Sequence, residues 1–265
     1  MIRGLYTSAA GALVAEAMID NVSNNLANSS TSGFKRTLLQ VESQPQTELY
    51  RFQTDPGQVP ANRLPGVPTQ VAIGTLGSGS DIYATPTNFQ QGPIAMNGNT
   101  YSFALSGPGF FAVRNQQTGQ ITYTRDGSFM RSADGTLTTV DGSSVLDAAG
   151  KTIPLPAIGK IEVDTKGNIN VAGATSGQIG TFEFNNVNAL QPQGATGYLP
   201  AAGAGLHPAT RTSVLQYSEE KSNGDVVRSI VDLITAERWF DANEKSIQTQ
   251  DDAANQAIST VGKTS

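Results

Sequence analysis

The 265-residue chain contains no cysteine and a single histidine, His207. Without thiols it can form neither disulfide bonds nor thiolate metal sites, and one histidine cannot build a histidine-based metal cluster. No segment approaches the roughly 20 consecutive apolar residues that a membrane-spanning helix requires. These absences exclude a disulfide-stapled fold and a membrane span, and we expect neither a metal ion nor a cofactor.

Charged side chains are also scarce, because Asp, Glu, Lys and Arg make up only 15% of the sequence, against about a quarter in average proteins. The formal net charge of −5 gives no bulk attraction to nucleic acid or to an anionic membrane. Glycine and small polar side chains take the place of the missing charges. This composition suits short strands, turns and polar contacts between proteins.

The first residues do not have the pattern of a cleaved signal peptide. Their apolar run, residues 9–14, is short, and Glu16 and Asp20 follow it at once. We therefore expect an uncleaved N-terminal helix. Its apolar and small residues recur in steps of three and four, as in a heptad seam, at Leu5, Ser8, Ala12, Ala15, Ile19, Val22 and Leu26. The helix should end within residues 28–33, where Gly33 can take a positive φ.

A second long helix is predicted from about Ser222 to Val261, with Ser222 and Asn223 as candidate helix starters. Its seam is apolar at both ends and acidic in the middle, at Val226, Ile230, Leu233, Glu237, Phe240, Glu244, Ile247, Asp251, Ala254, Ile258 and Val261. Such a helix would be about 55 Å long at 1.5 Å per residue. A helix of that length needs a partner along its side to be stable.

The middle of the chain has the pattern of a β domain. Short β-prone runs occur at residues 103–105, 110–113, 121–124, 137–140, 161–163 and 182–184. Three Asp-Gly pairs, at 126–127, 134–135 and 141–142, punctuate these runs at hairpin spacing. Phe110 and Phe111 are adjacent and must point to opposite faces of a strand. One can fill the core, and the other must be covered by a connector or by a neighbouring subunit.

Together these patterns predict an α+β protein in which long N- and C-terminal helices pack as a coiled-coil-like pair, with an inserted all-β domain. The helical part is expected at residues 1–36 and 222–265, and the β domain at 81–199. Residues 37–80 and 200–221 read as extended connectors, since the first is rich in proline and the second in alanine and glycine.

Four asparagines lie at helical spacing near the end of the first helix, although asparagine is a poor helix former. They are Asn21, Asn24, Asn25 and Asn28. One interpretation is a helix that frays into a capped turn. The other is side-chain amides bonded across a packed interface, where they would set the register of neighbouring subunits.

Four motifs, in order along the chain, resemble those of flagellar basal-body rod and hook proteins. Residues 24–36 resemble their N-terminal signature, and residues 235–243 resemble their C-terminal signature, with Glu237 where the family usually has Gln. Residues 106–111 and 123–129 resemble central motifs of the FlgF and FlgG rod proteins in particular. Residues 45–75 match none of these motifs, and the sequence does not distinguish a proximal from a distal rod member.

This resemblance implies a structural subunit and not an enzyme. It implies a subunit of the flagellar basal body that leaves the cell interior through the flagellar type III export machinery without signal cleavage. There it would polymerise into a helical tube, with terminal helices inside and β domains outside, and transmit torque from motor to hook. The implied partners are further copies of the chain, other rod and hook axial proteins, the export machinery and surrounding ring proteins, with no nucleic acid.

Two sets of residues are candidates for these roles. The assembly-interface candidates are Leu5, Ile19, Val22, Asn24, Asn25, Leu26, Asn28, Phe34, Val226, Ile230, Leu233, Arg238, Trp239, Phe240, Asn243 and Ile247. The turn and core candidates are Gly107, Gly109, Phe110, Phe111, Arg125, Asp126 and Gly127. Arg125 and Asp126 could form a structural ion pair or a lateral contact between subunits. Trp239 could contact the first helix or a neighbouring subunit.

Two other functions fit less well. A secreted glycan-active enzyme would need two carboxylates across a cleft, for which Glu162, Asp164 and Glu183 are candidates by composition only. Matching heptads at both chain ends have no purpose in such an enzyme. A free-standing coiled-coil dimer with a β head is the other alternative. The segment Gly107-Pro108-Gly109 is too short for a phosphate-binding loop.

Overall fold

The computed structural model describes residues 2–53, 69–77, 79–156, 160–171 and 174–261. The chain divides into two units that each collect distant segments. The first unit comprises Met1–Asn21, Leu39–Thr85 and Val231–Ser265, and the second comprises Val22–Leu38 and Pro86–Ile230. In the described part of the chain, no helix is long and apolar enough to cross a membrane.

The first unit contains most of both terminal helices and two antiparallel ribbons. The helices are α1 (Ile2–Ala27) and α2 (Val226–Val261), and the expectation that they pack together is confirmed. The strands β1 (Gln40–Ser43) and β4 (Ser80–Ala84) form one two-stranded sheet, and β2 (Thr47–Gln53) and β3 (Thr69–Leu76) form the other. Residues 37–80, expected as an extended connector, thus hold in their described part three of these strands and the start of the fourth, while residues 54–68 and 78 lie outside the described residues.

The end of α1 agrees with the sequence, because the helix stops at Ala27 and Gly33 has a φ of 70°. A Cβ atom on Gly33 would lie only 2.3 Å from the backbone nitrogen of Asp126. Glycine is therefore required here twice over, once for the left-handed backbone and once for the close approach of the β domain.

The start of α2 differs from the prediction. Asp225 is the N-cap, since its Oδ1 accepts hydrogen bonds from the backbone N–H groups of Val227 at 3.0 Å and Arg228 at 3.2 Å. Ser222 and Asn223 are not helix starters. The Ser222 hydroxyl accepts the Gly224 N–H in a turn, and the Asn223 amide is used in contacts elsewhere in the fold.

In the part of the second unit that the structure describes, sixteen short strands occur. They are β5 (Ile94–Met96), β6 (Phe103–Ser106), β7 (Phe110–Arg114), β8 (Ile121–Thr124), β9 (Phe129–Arg131), β10 (Leu137–Thr139), β11 (Ser144–Val145), β12 (Ile161–Val163), β13 (Asn168–Val171), β14 (Ala174–Gln178), β15 (Thr181–Phe184), β16 (Leu190–Gln193), β17 (Gly197–Pro200), β18 (Leu206–Pro208), β19 (Ser213–Gln216) and β20 (Ser218–Glu220). Five of the six predicted β-prone runs lie within one of them, and the run 137–140 extends one residue beyond β10. Residues 200–221, expected as a connector, hold β18, β19 and β20.

The main sheet follows the order β16-β17-β8-β7-β11-β10-β9, and β15 joins it by pairing with both β7 and β18. A three-stranded sheet has the order β12-β13-β14, and two further pairs are β19-β6 and β20-β5. All strand pairs are antiparallel. Antiparallel pairs need only short connections, which agrees with the many turn residues of the sequence.

Two of the three Asp-Gly pairs close hairpins as predicted, and the third does not. Residues 134–135 connect β9 to β10, and residues 141–142 connect β10 to β11. Asp126-Gly127 joins β8 to β9, which pair with other strands and not with each other. A Cβ atom on Gly127 would lie 1.7 Å from the Phe103 carbonyl oxygen. This glycine is therefore needed for close packing against β6.

The neighbouring side chains of Phe110 and Phe111 fill two different cores. Phe111 packs with Phe129 in one cluster, with ring centroids 5.1 Å apart. Phe110 packs edge-on against Phe184 and Tyr198 in the other cluster. Because both phenylalanines are fully buried within the chain, neither requires a neighbouring subunit to cover it.

A buried carboxylate holds one loop of the β domain in place. Glu183 accepts hydrogen bonds from the backbone N–H groups of Thr210 and Arg211, from the Arg211 guanidinium and from the Thr212 hydroxyl. Burial would raise the pKa of this carboxyl group, but these hydrogen bonds and the Arg211 charge outweigh burial and lower the pKa below its ordinary value. The anchored loop lies against Gly107, where a Cβ atom would be 2.6 Å from the Arg211 carbonyl oxygen.

Replacing Glu183 by Gln should destabilise the β domain by about 2 kcal/mol or more at neutral pH, because a charged acceptor of several hydrogen bonds is lost. The lowered pKa means that the carboxylate stabilises the fold above about pH 4.3, its unfolded value, and that this contribution disappears as the pH falls through the folded pKa. Urea unfolding of both proteins at several pH values is the measurement. A stability difference that stays constant down to acid pH would contradict this account.

Candidate assembly site

A buried ion cluster, formed by Lys35, Arg125 and Glu220, lies within the second unit, beside the segments that follow α1 and precede α2. The Lys35 ammonium is 2.5 Å from Glu220 Oε1, and Arg125 Nη1 is 3.3 Å from Glu220 Oε2. The side chains of Lys35 and Glu220 are fully buried, and that of Arg125 is nearly so. Lys35 comes from the segment after α1, Arg125 from the end of β8, and Glu220 from β20 just before α2.

The remaining hydrogen-bonding groups of this cluster are largely satisfied. Lys35 also donates to the Gln90 carbonyl oxygen at 2.7 Å, and Glu220 Oε1 also accepts the Gly92 N–H at 2.8 Å. The Arg125 guanidinium lies 4.8 Å from the ring centroid of Phe110, which supplies a cation–π contact. Burial lowers the pKa of both Lys35 and Arg125, while the Glu220 carboxylate opposes that shift.

Two cations share one carboxylate in this cluster, so the loss of Glu220 would destabilise the fold more than the loss of either cation. A buried ion pair gains little over a well-packed apolar pair, but removing one partner leaves a buried charge without compensation. Backbone contacts reinforce the same junction, since the Gly33 N–H donates to the Glu220 carbonyl oxygen at 2.7 Å. The cluster therefore fixes the positions of the two segments from which the helices emerge.

Asparagine side chains add further ties to the junction. Asn25 is buried. Its side-chain NH₂ donates to the Thr37 carbonyl oxygen, and its Oδ1 accepts the Thr37 N–H, each at 2.9 Å. Asn223 accepts the Arg36 N–H and donates to the Asn88 carbonyl oxygen. Lys35, Glu220 and Asn223 were not identified as site residues from the sequence. Lys35 lies in the N-terminal motif, but the sequence carries no signal for its pairing with Glu220.

The contact between α1 and α2 in the first unit is made by small and polar side chains. A Cβ atom on Gly4 would lie 2.6 Å from Gln250 Oε1, and one on Gly11 would lie 2.7 Å from Asn243 Oδ1. Between them, the hydroxyl oxygens of Ser8 and Ser246 are 2.9 Å apart. Residue numbers rise on one helix as they fall on the other, so the pair is antiparallel.

This contact corrects the predicted seam of α2. The acidic positions Glu237, Glu244 and Asp251 are exposed. The helix instead turns the neighbouring Ala236, Asn243 and Gln250 toward the interior, and Ala236 is fully buried. The physical reason is that carboxylates remain in water, while small residues and amides permit the backbones to approach closely.

The predicted interface residues differ in exposure within the single chain. Exposed are Leu5, Asn24, Val226, Ile230, Arg238 and Trp239. Partly buried are Ile19, Val22, Leu26, Asn28, Leu233, Phe240, Asn243 and Ile247. Asn25 and Phe34 are buried. The Asn28 amide donates to the Asn24 carbonyl oxygen of the same helix. The role of these residues in assembly stays a prediction.

An exposed apolar surface covers the first turns of α2. We call it the α2 patch, and its members are Val226, Val227, Ile230, Val231 and Ile234, which are 43–73% exposed. Further along the same helix Trp239 is 53% exposed. A contiguous apolar surface of this kind on a helix is typical of a protein contact.

The carboxylates proposed for an enzyme site are all engaged in structural contacts. Glu162 pairs with Lys160 on the surface. Asp164 accepts backbone N–H groups in the turn that follows β12, and Glu183 holds the loop described above. Among the residues that the structure describes, no group of three or more His, Asp or Glu side chains is arranged to bind a metal ion.

Replacing Glu220 by Gln should cost about 3–5 kcal/mol of unfolding free energy, because both cations would stay buried without their anion. Lys35→Met is the matched control, since it leaves Arg125 and Glu220 as a balanced pair, and it should cost less than half as much. Urea unfolding followed by circular dichroism measures both. If Lys35→Met proved as damaging as Glu220→Gln, charge balance would not be the source of stability.

Asn25→Ala should destabilise the isolated chain by about 2 kcal/mol, because two hydrogen bonds to the Thr37 backbone are lost. Asn24→Ala, one residue earlier on the exposed side, should leave the unfolding free energy nearly unchanged. Thermal unfolding of the two variants separates an internal amide from a surface amide. Equal stabilities would show that the Asn25–Thr37 contact contributes nothing.

Comparison with known proteins agrees with the motifs. Residues 104–171 match the model of the flagellar hook protein FlgE/F/G D1 domain, and residues 215–260 match the flagellar basal body rod FlgEFG protein C-terminal model. The first match lies within the β domain. The second includes the end of the β domain, with Glu220, and nearly all of α2.

Full-length relatives cover nearly the whole chain. The flagellar basal-body rod protein FlgG of Agrobacterium fabrum is 31% identical over 96% of this chain and 97% of its own length. FlgF of Caulobacter vibrioides is 29% identical over 99% of both chains, and FlgG of Bacillus subtilis is 29% identical over 97% and 98%. These relatives are rod proteins, and nothing in the comparisons supports a glycan-active enzyme. The chain therefore belongs to the flagellar basal-body rod proteins of the FlgF and FlgG type, as a structural subunit of the flagellum.

Proposed function

We propose that this rod subunit polymerises with its own copies and with other axial proteins into a helical tube that transmits torque from the motor to the hook. The buried ion cluster is the observation that carries the proposal. A subunit that transmits torque needs the segments that follow α1 and precede α2 to be held rigidly. Buried, hydrogen-bonded charges at the roots of both helices supply such stiffness, because moving one of them would leave another without a partner.

In this proposal the terminal helices line the inside of the tube as a coiled-coil-like pair, and the β domains lie outside. The α2 patch supports it, since exposed valine and isoleucine side chains gain free energy when a neighbouring subunit covers them. The other exposed candidates, Leu5, Arg238 and Trp239, would add to the same contact. Asn24 and Asn28 would set the register between stacked subunits through their amides.

The proposal includes passage through the flagellar type III export machinery to the periplasmic part of the basal body, where ring proteins surround the rod. The α1–α2 contact supports this route. The contacts at Gly4, Gly11 and Ser8 are made with small or polar side chains, and such contacts stabilise a single chain less than extensive apolar burial does. A weakly held helix pair opens at low cost for export and can become ordered on assembly.

Ile230→Asp tests the assembly contact separately from folding. Ile230 is 43% exposed in the single chain, so the aspartate should change the unfolding free energy by no more than about 0.5 kcal/mol. In an assembled rod, a subunit contact would bury the same carboxylate. That burial would weaken the contact by at least about 2 kcal/mol. We therefore expect a folded subunit that does not polymerise and does not support swimming.

Gln248→Asp is the matched control, because it adds the same charge at an exposed polar position of α2. Polymers are detected by sedimentation and electron microscopy, and swimming is measured in cells that carry only the variant. Normal polymers from Ile230→Asp subunits would exclude the α2 patch as an essential contact. If the unchanged chain formed no tube with itself or with other axial proteins, the proposed polymerisation would be wrong.

A further inference from the structure

A polar groove of about 340 Å³ opens on the surface of the β domain. It is lined by Thr122 and Thr124 of β8 and by residues of the β7–β8, β10–β11 and β16–β17 turns. Hydroxyl and amide groups dominate the lining, with the carboxyl groups of Asp126 and Asp141 among them. The groove lies entirely within the second unit.

The chemistry of this groove favours a cationic guest. No lysine, arginine or aromatic ring is among the described residues that line it. An anion would find no counter-charge, and a sugar ring would find no aromatic face to stack on. Burial raises the pKa of the Asp126 carboxyl group, and the nearby Asp141 adds to that shift. A cation in the groove would relieve both effects while bonding to the surrounding oxygens.

A rigid cationic turn occurs elsewhere in the second unit. Residues 164–167 connect β12 to β13 and carry the exposed side chain of Lys166. Asp164 Oδ1 accepts the N–H groups of Lys166 and Asn168, each at 2.9 Å, and Gly167 has a φ of 81°. These contacts hold the turn in one conformation before any partner arrives, which lowers the entropic cost of binding.

Lys166 is distinguished from other basic residues by its position at the tip of a turn. Several others are already engaged by acceptors of their own chain, namely Lys35, Arg114, Arg125, Lys160, Arg211 and Lys221. The Lys166 side chain projects from a hairpin of only three- and four-residue strands. A narrow hairpin tip with one ammonium group suits a groove of this size.

We propose that the groove receives the β12–β13 turn of a second copy of the chain, with the Lys166 ammonium beside Asp126 and Asp141. The groove and the turn are different surfaces, so the contact is head-to-tail and continues from subunit to subunit without closing into a dimer. The inference rests on the proposed polymerisation and assigns it a lateral or axial contact between β domains.

The groove can be tested without any polymer. The probe is a cyclic peptide of residues 161–171, closed between Ile161 and Val171, which are cross-strand partners in the fold. Added to the isotope-labelled full chain, it should shift the amide resonances of Thr124, Asp126 and Asp141. The same peptide carrying Lys166→Glu should bind at least tenfold more weakly, and added salt should weaken binding of the unchanged peptide. Equal shifts from both peptides, or none from either, would overturn the proposal.

The absence of cysteine makes the contact testable in the polymer as well. Subunits with Asp141→Cys are mixed with subunits carrying Lys166→Cys, assembled under reducing conditions and then oxidised. A disulfide-linked pair is expected, whereas Asp141→Cys mixed with Lys245→Cys, an exposed control on α2, should give none. Polymers that form without the first cross-link would refute the groove contact. A chain that binds the peptide but never polymerises would instead refute only the proposed function.

Discussion

The carboxylate of Glu220 is the interaction on which the arrangement of three distant segments of the second unit depends. Its carboxylate is bonded to Lys35, to Arg125 and to the Gly92 backbone, and all of these groups are removed from water. In that environment each partner holds the others in place, because no water is available to replace a broken contact. A single side chain thus joins the segment after α1, the end of β8 and the strand that leads into α2.

Different interactions stabilise the β domain and the helix pair. The β domain has two apolar clusters, with the aromatic rings of Phe110 and Phe111 on opposite sides of β7. The helix pair relies on close backbone approach at Gly4 and Gly11 and on a hydroxyl contact between Ser8 and Ser246. Apolar burial is worth far more than such polar contacts in a single chain. This contrast agrees with the proposed assembly, in which neighbouring subunits would add stability to the helices.

Several features of the fold were predictable because they depend on neighbouring residues in the sequence. The strand runs alternate or cluster in β-prone residues, and Asp134-Gly135 and Asp141-Gly142 are local turn signals. The predicted start of α2 failed because Asn223, a good cap in isolation, is occupied by Arg36 and Asn88 of distant segments. The α2 seam was displaced by one position for a related reason, since periodicity alone does not say which of two adjacent faces meets a glycine-rich partner.

By itself the sequence determined the α+β class, the long helix at each end, the β region between them and, through four ordered motifs, the family. These follow from local propensity, periodicity and short-range motifs. Only the tertiary structure decided that Lys35, Arg125 and Glu220 share one buried site, although the last two are 95 residues apart along the chain. It also decided that Gly127 serves close packing and not a hairpin. Both depend on contacts between distant segments, for which a single sequence holds no distance information.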